Sequence, residues 1–375
     1  MVVALEASAD LHGASVLREL RALRPGLRAF GAGGPRMRAE GLEALVRAED
    51  LSVMGAAEVI PALPRILEAM DALADAARDR QPRAALLIDS PDFNLRMARR
   101  LRERRVPVAY FIGPSVWAWR TYRVRQIARD VVRMLVILPF EAPFYAEHGV
   151  AATYVGNPLA DDFRKALPGP HHPGTILPEG ADNKRVLALL PGSRLQEIRR
   201  IWPPMLAAAR ELKRQMPDLR LVVPVAVTLD RSLFGDPPDV DFAPSAPEVL
   251  ASATAAIVAS GTATLEAALA LTPLVVVYKT SWLTWLIGRL LVRVRHISLV
   301  NLLAGRGVVA ELLQSECTPE SIARAAQPLL ADTPERAQQI EALRAIRAEL
   351  APPGSPGAAR RAAGEVLALL DARPP

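Results

Sequence analysis

The sequence is poor in the residues that form disulfides and bind metals. Its 375 residues include one cysteine, Cys317, and five histidines. A single cysteine cannot close an internal disulfide, and no cysteine or histidine spacing typical of a metal site accompanies it. We therefore expect a protein of the reducing cytoplasm that works without a metal or another cofactor.

Long apolar runs are also absent, since no run of about 18 apolar residues occurs, and the sequence predicts no membrane-spanning helix. Met1–Leu5 is too short for a signal peptide. In Ser281–Leu303, however, tryptophan and leucine alternate with arginine, which indicates a helix lying in a membrane interface. The alternative is a helix buried between domains with its arginines directed outward. The residues concerned are Trp282, Trp285, Leu286, Leu290, Arg289, Arg293 and Arg295.

Apolar residues and arginine are plentiful. Hydrophobic residues make up 51% of the chain and charged residues 23%, the balance of a globular protein with room for two domains. The net charge of +6 comes from arginine, since lysine is scarce. A basic balance suits nucleic acid, an anionic membrane surface or a phosphorylated substrate. The arginines are spread along predicted helices such as Met97–Arg105, so charge alone identifies no partner.

Strand and helix signals alternate along both halves of the chain. This order predicts two doubly wound, Rossmann-like α/β domains with parallel sheets, facing a cleft at the carboxyl ends of their strands. A segment rich in proline, glycine and histidine, Leu167–Asn183, indicates an exposed loop. We place the domains at 1–158 and 159–344 and expect the C-terminal helices, about 345–375, to return to the first. The predicted strands are Val2–Leu5, Leu27–Phe30, Ala84–Ile88, Val108–Phe111, Met134–Ile137, Arg185–Leu190, Leu219–Val223, Ala255–Val258 and Leu274–Tyr278.

Two strand–turn–helix junctions in the second half predict a nucleotide site. Leu189–Arg194 and Ala259–Glu266 each follow an apolar run and open a helix, which leaves backbone N–H groups unpaired for a phosphate. Arg194 adds a forked cation suited to a diphosphate, and Glu266 is placed to accept from a ribose diol. The predicted ligands are Gly192, Ser193, Arg194, Ser260, Gly261, Thr262 and Glu266.

A carboxylate at the end of a strand in the first half is the candidate general base. Asp89 ends the apolar run Ala84–Ile88, and a carboxylate there can take the proton of a substrate hydroxyl. The alternative is that Asp89 and Asp92 cap the following helix. Asp92 fits the cap better, which leaves Asp89 for catalysis.

Polar residues also follow the first strand. Asp10 and Glu6 are further candidates for the base, because the carboxyl ends of parallel strands meet at one edge of the sheet. His12 is suited to orienting a carboxylate or a substrate phosphate rather than to binding a metal, and Ser8 lies beside it.

The string Pro114–Arg120 contains two tryptophans two residues apart, directly after a predicted strand. At the rim of a cleft these rings, with Trp117 and Arg120 among the predicted ligands, suit an acyl chain or a sugar face. Packing between domains is the alternative.

Several short motifs taken in order resemble one family. They are Glu6–Asp10, Gly33–Met37, Val53–Val59, Ile88–Asn94, Pro114–Arg120, Leu138–Glu141, Leu190–Arg194, Ser260–Glu266 and Val309–Gln314. Together they resemble lipid-A-disaccharide synthase, a glycosyltransferase family with the two-domain GT-B fold. The match runs from about Leu5 to Gln314, and the string Pro114–Arg120 is quite specific.

The resemblance implies inverting transfer of 2,3-diacylglucosamine from UDP to 2,3-diacylglucosamine 1-phosphate, giving lipid A disaccharide 1-phosphate and UDP. It implies UDP in the second domain, the acceptor in the first, and a peripheral place on the inner face of the cytoplasmic membrane. It adds Asn301 and Glu311 to the substrate-binding residues.

The chain departs from the family pattern in several places. Leu5 and Ala9 stand where the family's Gly-Glu-Ala-Ser-Gly-Asp has glycine, and Asn157 replaces the histidine of Gly-His-Pro. Gly307 stands where Gly-Arg-Glu-Val-Val-Pro-Glu has its first glutamate.

Three other functions stay open. One is another UDP-sugar enzyme of the same fold, either a UDP-N-acetylglucosamine epimerase or a peptidoglycan glycosyltransferase. Another is a non-catalytic relative that binds a nucleotide sugar or a membrane. The third is an arginine-rich nucleic-acid binder, but the sequence shows no groove-reading helix or aromatic stacking surface, so we expect no nucleic-acid partner.

Overall fold

The computed structural model describes residues 1–51, 59–166, 185–225, 230–291, 294–352 and 354–372. The chain forms two compact units, one of Met1–Pro158 with Gly354–Pro375 and one of Leu159–Pro353. Most of the predicted motif Val53–Val59, the predicted loop Leu167–Asn183 and Arg293 lie outside the described residues.

The first unit is built on a seven-stranded parallel sheet of order β3-β2-β1-β4-β5-β6-β7. Its strands are β1 (Val2–Ala4), β2 (Ala29–Gly33), β3 (Leu42–Arg47), β4 (Ala85–Ile88), β5 (Val108–Phe111), β6 (Arg133–Val136) and β7 (Ala152–Tyr154). Its helices are α1 (Ala7–Leu23), α2 (Pro35–Ala39), α3 (Val59–Arg80), α4 (Pro91–Glu103), α5 (Arg123–Asp130), α6 (Glu141–Glu147) and, from the end of the chain, α15 (Ala358–Asp371).

The second unit is built on a six-stranded parallel sheet of order β10-β9-β8-β11-β12-β13. Its strands are β8 (Val186–Leu190), β9 (Arg220–Pro224), β10 (Val240–Ala243), β11 (Ala255–Ala259), β12 (Leu274–Tyr278) and β13 (Glu311–Leu313). Its helices are α7 (Pro158–Ala166), α8 (Leu195–Gln215), α9 (Ala246–Ser252), α10 (Ala263–Ala270), α11 (Trp282–Leu291), α12 (Leu299–Ala304), α13 (Pro319–Ala326) and α14 (Pro334–Leu350).

Both sheets have the strand order of a doubly wound fold, which confirms the predicted fold class. In each sheet the order runs outward in one direction from the first strand and then reverses, between β1 and β4 in the first unit and between β8 and β11 in the second. Ligands of open α/β sheets bind outside the carboxyl ends of the strands at this reversal. The topology therefore selects two places for a site.

Alternating side chains of the first sheet pack into two cores, one on each face. Val3 and Leu87 belong to a core with α4, whereas Val2 and Leu86 belong to a core with α1 and α15. Side chains of successive strand residues point to opposite faces, so a strand apolar at every position is covered on both sides. All four residues of β4 and of β5 are buried accordingly.

The structure adds four strands to those predicted, namely β3, β7, β10 and β13. Each is the outermost strand of its sheet.

Candidate active site

The carboxyl ends of β1 and β4 bring together two of the predicted carboxylates, Glu6 and Asp89. The hydroxyl of Ser90 donates a hydrogen bond of 3.2 Å to Glu6 Oε1. Burial and the nearby charge of Glu6 raise the pKa of Asp89 above its usual value, and a hydrogen bond with the backbone of Ser90 offsets part of that shift. A raised pKa brings a carboxylate nearer to the range in which a general base works best.

The backbone at Asp89 is held in a rare conformation. Asp89 and Ser90 have φ angles of +52° and +45°, in the left-handed region that is unfavourable for residues other than glycine. The Tyr110 hydroxyl and the Asn94 side-chain amide donate to the Asp89 carbonyl at 2.7 and 2.8 Å. Such strain persists where the surroundings fix it, and it clusters at active sites. These bonds hold the backbone of Asp89 in this conformation.

Asp10, a second candidate for the base, is committed to a turn. It is buried, and its two oxygens accept from the backbone N–H groups of Gly34, Arg36 and Met37 at 2.8 to 3.0 Å. A Cβ atom on Gly34 would lie 2.6 Å from the Asp10 carboxyl carbon. The geometry therefore gives Asp10 a structural task and favours Asp89 as the base.

Asp92 does not cap α4, so the prediction of a cap there is wrong. The N-cap of α4 is Ser90, which makes no side-chain capping bond. The exposed Asp92 carboxylate instead pairs with Arg123, and Arg120 lies 3.6 Å from it. Two arginines from the following loop and helix outcompete the local backbone.

Ser8 and His12 lie one turn apart on α1, which begins at Ala7 directly after Glu6. Ser8 is exposed and His12 is half-buried. Both therefore lie on the first turns of the helix that starts at the strand-order reversal.

Leu5 and Ala9 fill positions where glycine was expected. Both are buried, Leu5 in the core with α4 and Ala9 in the core with α1. Their side chains are thus accommodated by packing.

Glu141 is a buried carboxylate that belongs to one of the sequence motifs but was not predicted as a site residue. It begins α6, and its Oε2 atom accepts from the N–H groups of Leu138 and Ile137 at 2.9 and 3.2 Å. Its Oε1 atom accepts from Trp117 Nε1 at 3.2 Å. Burial raises the pKa of Glu141 to about 7 even though these three bonds lower it. Trp117 also packs edge-on against Phe140, with ring centroids 5.0 Å apart.

Arg120 lies further along the same loop. Its φ angle is +52°, and its guanidinium lies 4.1 Å from the ring centroid of Trp119, which is 40% exposed. This stacked pair presents a flat aromatic and cationic surface to solvent.

In the second unit, the turn after β8 opens α8. Gly192 has a φ of +106°, and a Cβ atom there would lie 2.7 Å from Glu197 Oε2, so the turn requires glycine. Arg194 is the N-cap residue, and its side chain is 83% exposed. Its ion pair with Glu197 at 3.4 Å is on the surface and therefore weak. Ser193 is exposed beside it, so both can turn toward a diphosphate.

The turn after β11 is the matching half. Gly261 and Thr262 are exposed, and no heavy atom lies within 4 Å of a Cβ atom built on Gly261. Ser260 donates from its hydroxyl to the Ile297 carbonyl at 3.3 Å. Burial alone raises the pKa of Glu266, and its carboxylate has no hydrogen-bond or ionic partner within the described ranges. Glu266 is therefore an acceptor that lacks a donor.

Asn301, which is buried, and Glu311, which is half-buried, form a pair beside this turn. Asn301 Nδ2 donates to Glu311 Oε1 at 2.7 Å, and Asn301 Oδ1 accepts from the N–H groups of Val308 and Val309. Glu311 also accepts from the backbone N–H of Ile297 at 3.0 Å, and Ile297 is the residue that Ser260 contacts. Both side chains thus hold the loop that supports Ser260.

Two further buried polar groups were not predicted from the sequence. Gln314 Nε2 and the Tyr145 hydroxyl are buried without a hydrogen-bond partner. The described residues contain no cluster of three or more histidine, cysteine or acidic side chains arranged to hold a metal ion.

The family model and the curated relatives below carry the same family name. The family model described as Lipid-A-disaccharide synthetase matches residues 1–354. The lipid-A-disaccharide synthase of Anaeromyxobacter dehalogenans (strain 2CP-C) is 50% identical over 379 residues, covering 99% of this chain and 97% of the relative. That of Myxococcus xanthus (strain DK1622) is 48% identical over 380 residues, with the same coverage. Among solved structures, the glycotransferase of kitacinnamycin has a TM-score of 0.65 at 18% identity over 98% of each chain, a likeness of fold.

Proposed function

We infer the reaction of this chain from one premise: the chain belongs to the lipid-A-disaccharide synthase family. It is a glycosyltransferase with the GT-B fold. We propose that it transfers 2,3-diacylglucosamine from UDP to 2,3-diacylglucosamine 1-phosphate with inversion, and releases UDP. The observation that carries the proposal is that the two glycine turns of the second unit and the predicted base Asp89 follow the strands at the two strand-order reversals.

The donor half of the proposal concerns the second unit. The diphosphate binds at the turns after β8 and β11, where Gly192 and Gly261 admit it to the backbone N–H groups. Arg194 leaves its weak surface pair with Glu197 and neutralises the diphosphate. Glu266 accepts from the ribose hydroxyls, which supplies the donors that this half-buried carboxylate lacks. Charge grows on the diphosphate as the bond to the sugar breaks, so Arg194 acts most strongly in the transition state.

The acceptor half concerns the first unit. Asp89 takes the proton from the attacking hydroxyl while the acceptor oxygen bonds to the anomeric carbon and UDP leaves with the bonding electrons. Burial and the charge of Glu6 raise the pKa of Asp89, and Tyr110 and Asn94 hold its backbone in place. Asp10 and Glu6 are the reserve candidates for the base.

The membrane part of the proposal rests on α11. Trp282, Leu286 and Leu291 are 73%, 44% and 54% exposed, and Trp282 and Leu286 lie one turn apart. Arg289 is exposed on the same helix. None of the helices in the described part of the chain combines the length and the apolar character needed to cross a bilayer. We propose that α11 lies in the headgroup region at the inner face of the cytoplasmic membrane.

Co-sedimentation with vesicles of phosphatidylglycerol and phosphatidylethanolamine tests the membrane contact. The double variant Trp282→Ser/Leu286→Ser should lose most of the bound fraction. Leu23→Ser, which replaces another exposed leucine at the end of α1, should not. Equal binding of all three proteins would refute a role for α11.

The reaction is tested by incubating the protein with the acylated UDP sugar and the acylated acceptor and identifying products by mass spectrometry. We expect disaccharide 1-phosphate and UDP in equal amounts. An altered UDP sugar formed without acceptor would indicate an epimerase. Binding of UDP with no product in any combination would indicate a non-catalytic relative.

A further inference from the structure

The loop after β5 and the turn after β6 lie next to each other, because β5 and β6 are paired neighbours in the first sheet. Glu141 joins them with one carboxylate. Its Oε2 atom holds the turn through Leu138 and Ile137, and its Oε1 atom holds the loop through Trp117. Among these contacts, Glu141 is the side chain that holds both the turn and the loop.

Only a carboxylate satisfies the three donors around it. A glutamine has a single acceptor oxygen, so its amide group would have to face one of the N–H groups. No arginine, lysine or histidine in the described ranges forms an ion pair with Glu141. Burying a carboxylate without a cation costs free energy. We therefore take the role of Glu141 to be its hydrogen bonds to the loop and the turn.

The loop held by Trp117 leads directly to the expected acceptor surface. Three residues after Trp117, Arg120 stacks on Trp119 and lies 3.6 Å from Asp92 in the first turn of α4. That helix follows Asp89 and Ser90. The loop is thus fixed at Trp117 by Glu141 and at Arg120 by α4.

The start of the same loop is closely packed. A Cβ atom on Gly113 would clash with Met134 Cε and would lie 3.3 Å from the Tyr145 hydroxyl. Tyr145, one turn after Glu141 on α6, is the titratable neighbour of Glu141, and burial with the Glu141 charge raises its pKa so far that it stays neutral. Glu141 is therefore the group in this packing that changes charge near neutral pH.

We propose that Glu141 is a positioning residue for the acceptor, which sets the loop of Trp117, Trp119 and Arg120 by holding the Trp117 indole. The proposal rests on the proposed function, in which the first unit binds the acceptor. Glu141 touches no substrate and acts through Trp117.

Two substitutions cut the same bond from opposite sides. Glu141→Gln can keep its oxygen on Leu138 and Ile137, which turns its amide group toward the Trp117 N–H and removes that acceptor. Trp117→Phe removes the donor and keeps a ring against Phe140. Glu147→Gln is the matched control, because Glu147 is exposed at the far end of the same helix.

The first readout is the indole N–H resonance of Trp117 in nuclear magnetic resonance spectra, assigned as the signal that Trp117→Phe lacks. It needs no substrate, so it separates this proposal from the proposed function. We expect the resonance to titrate near neutral pH in the wild type and in Glu147→Gln, and to shift and lose that titration in Glu141→Gln. A resonance unaffected by Glu141→Gln would overturn the proposal.

The second readout is acceptor affinity, measured directly by calorimetry, and KM where turnover occurs. Glu141→Gln and Trp117→Phe should each weaken acceptor binding on the order of tenfold, as expected for a lost hydrogen bond to a charged group. Donor binding should be unchanged. The double variant should be no weaker than either single variant, because both remove one bond. Additive losses, or equal losses for donor and acceptor, would show a general structural defect and refute the proposal. If Glu141→Gln fails to fold, Trp117→Phe alone carries the test through its acceptor affinity.

Discussion

The hydroxyl of Tyr110 donates a hydrogen bond of 2.7 Å to the backbone carbonyl of Asp89. Tyr110 is on β5, whereas Asp89 follows β4, so the bond crosses between adjacent strands at the carboxyl edge of the sheet. It engages the backbone of Asp89 and not its carboxylate. The backbone of the proposed base is therefore held in place by a residue of the neighbouring strand.

Tyr110→Phe removes that bond while the ring stays in the core. We expect the free energy of unfolding to fall by about 1 kcal/mol, the usual value for a neutral hydrogen bond. We also expect kcat to fall several-fold with UDP affinity unchanged, because the left-handed backbone at Asp89 loses one of its two supports. The control is Tyr145→Phe, which removes a buried hydroxyl that has no partner and should cost no stability. Denaturant unfolding and steady-state kinetics decide, and equal effects of both variants would contradict the prediction.

Asp89→Asn keeps the size of the side chain but cannot accept the acceptor's proton. The variant should fold, bind UDP and lose on the order of 10²–10⁴ in rate, the usual contribution of a general base. Asp79→Asn, an exposed aspartate on α3, should retain full activity. If Asp89→Asn keeps near-normal turnover, Asp89 only orients the turn, and Glu6 becomes the next residue to replace.

Arg194→Ala should lower kcat more than it weakens UDP binding. The charge that Arg194 meets grows as UDP leaves, so its contribution is greater in the transition state, on the order of 10² in kcat for one preorganised donor. The matched control is Arg214→Ala at the other end of α8, where the side chain is 76% exposed. Kinetics with both substrates and calorimetry with UDP measure the two effects. A loss of UDP affinity as large as the loss of kcat would mean that Arg194 stabilises the ground state and the transition state equally.

Glu266→Gln tests the ribose contact. The wild type should bind UDP more tightly than 2′-deoxy-UDP, and the variant should bind the two with nearly equal affinity, because a charged acceptor has been removed from a hydroxyl donor. We expect about a tenfold loss of UDP affinity, the size of a charge-assisted hydrogen bond. Competition calorimetry gives both constants. If the variant still prefers UDP to the same extent, Glu266 does not touch the ribose.

Stability should depend on pH through Glu141. Its pKa rises from 4.5 to about 7 on folding, so the folded state retains a proton that the unfolded state has lost between those values. The stabilisation from that proton is complete below the unfolded pKa and is lost as the pH rises through about 7, for a total of about 3 kcal/mol. Glu141→Gln has no proton to lose at this position. Between pH 5 and pH 8.5 the unfolding free energy of the variant should therefore increase relative to that of the wild type. Parallel pH curves for the two proteins would contradict the assignment.

The strands that the sequence predicts are those buried on both faces. Val108–Phe111 and Leu274–Tyr278 were placed with correct bounds because each is a continuous apolar run. The outermost strands were missed for the converse reason. In Leu42–Arg47 buried and exposed residues mix, and Glu311–Leu313 is only half-buried throughout, so neither has a strong apolar signal.

The site was predicted where local pattern determines it and missed where tertiary contact does. The glycine turns after β8 and β11 follow from neighbouring residues, as does the position of Asp89 at the end of a strand. The partners of Asp92 are Arg120 and Arg123, some thirty residues along the chain. The local sequence of the helix therefore could not show that Asp92 would not cap it. The burial of Glu141 depends likewise on the loop of the adjacent strand.

The packing of α15 on α1 has a consequence for how the protein is made. Ala362, Ala363 and Val366 complete the same core as Val16 and Leu17, although they are synthesised after the whole of the second unit. The N-terminal sheet therefore waits, with one apolar face uncovered, until translation of the second unit is finished. A chain that stops before α15 should expose that face to chaperones and proteases, although every residue proposed for catalysis has already been synthesised.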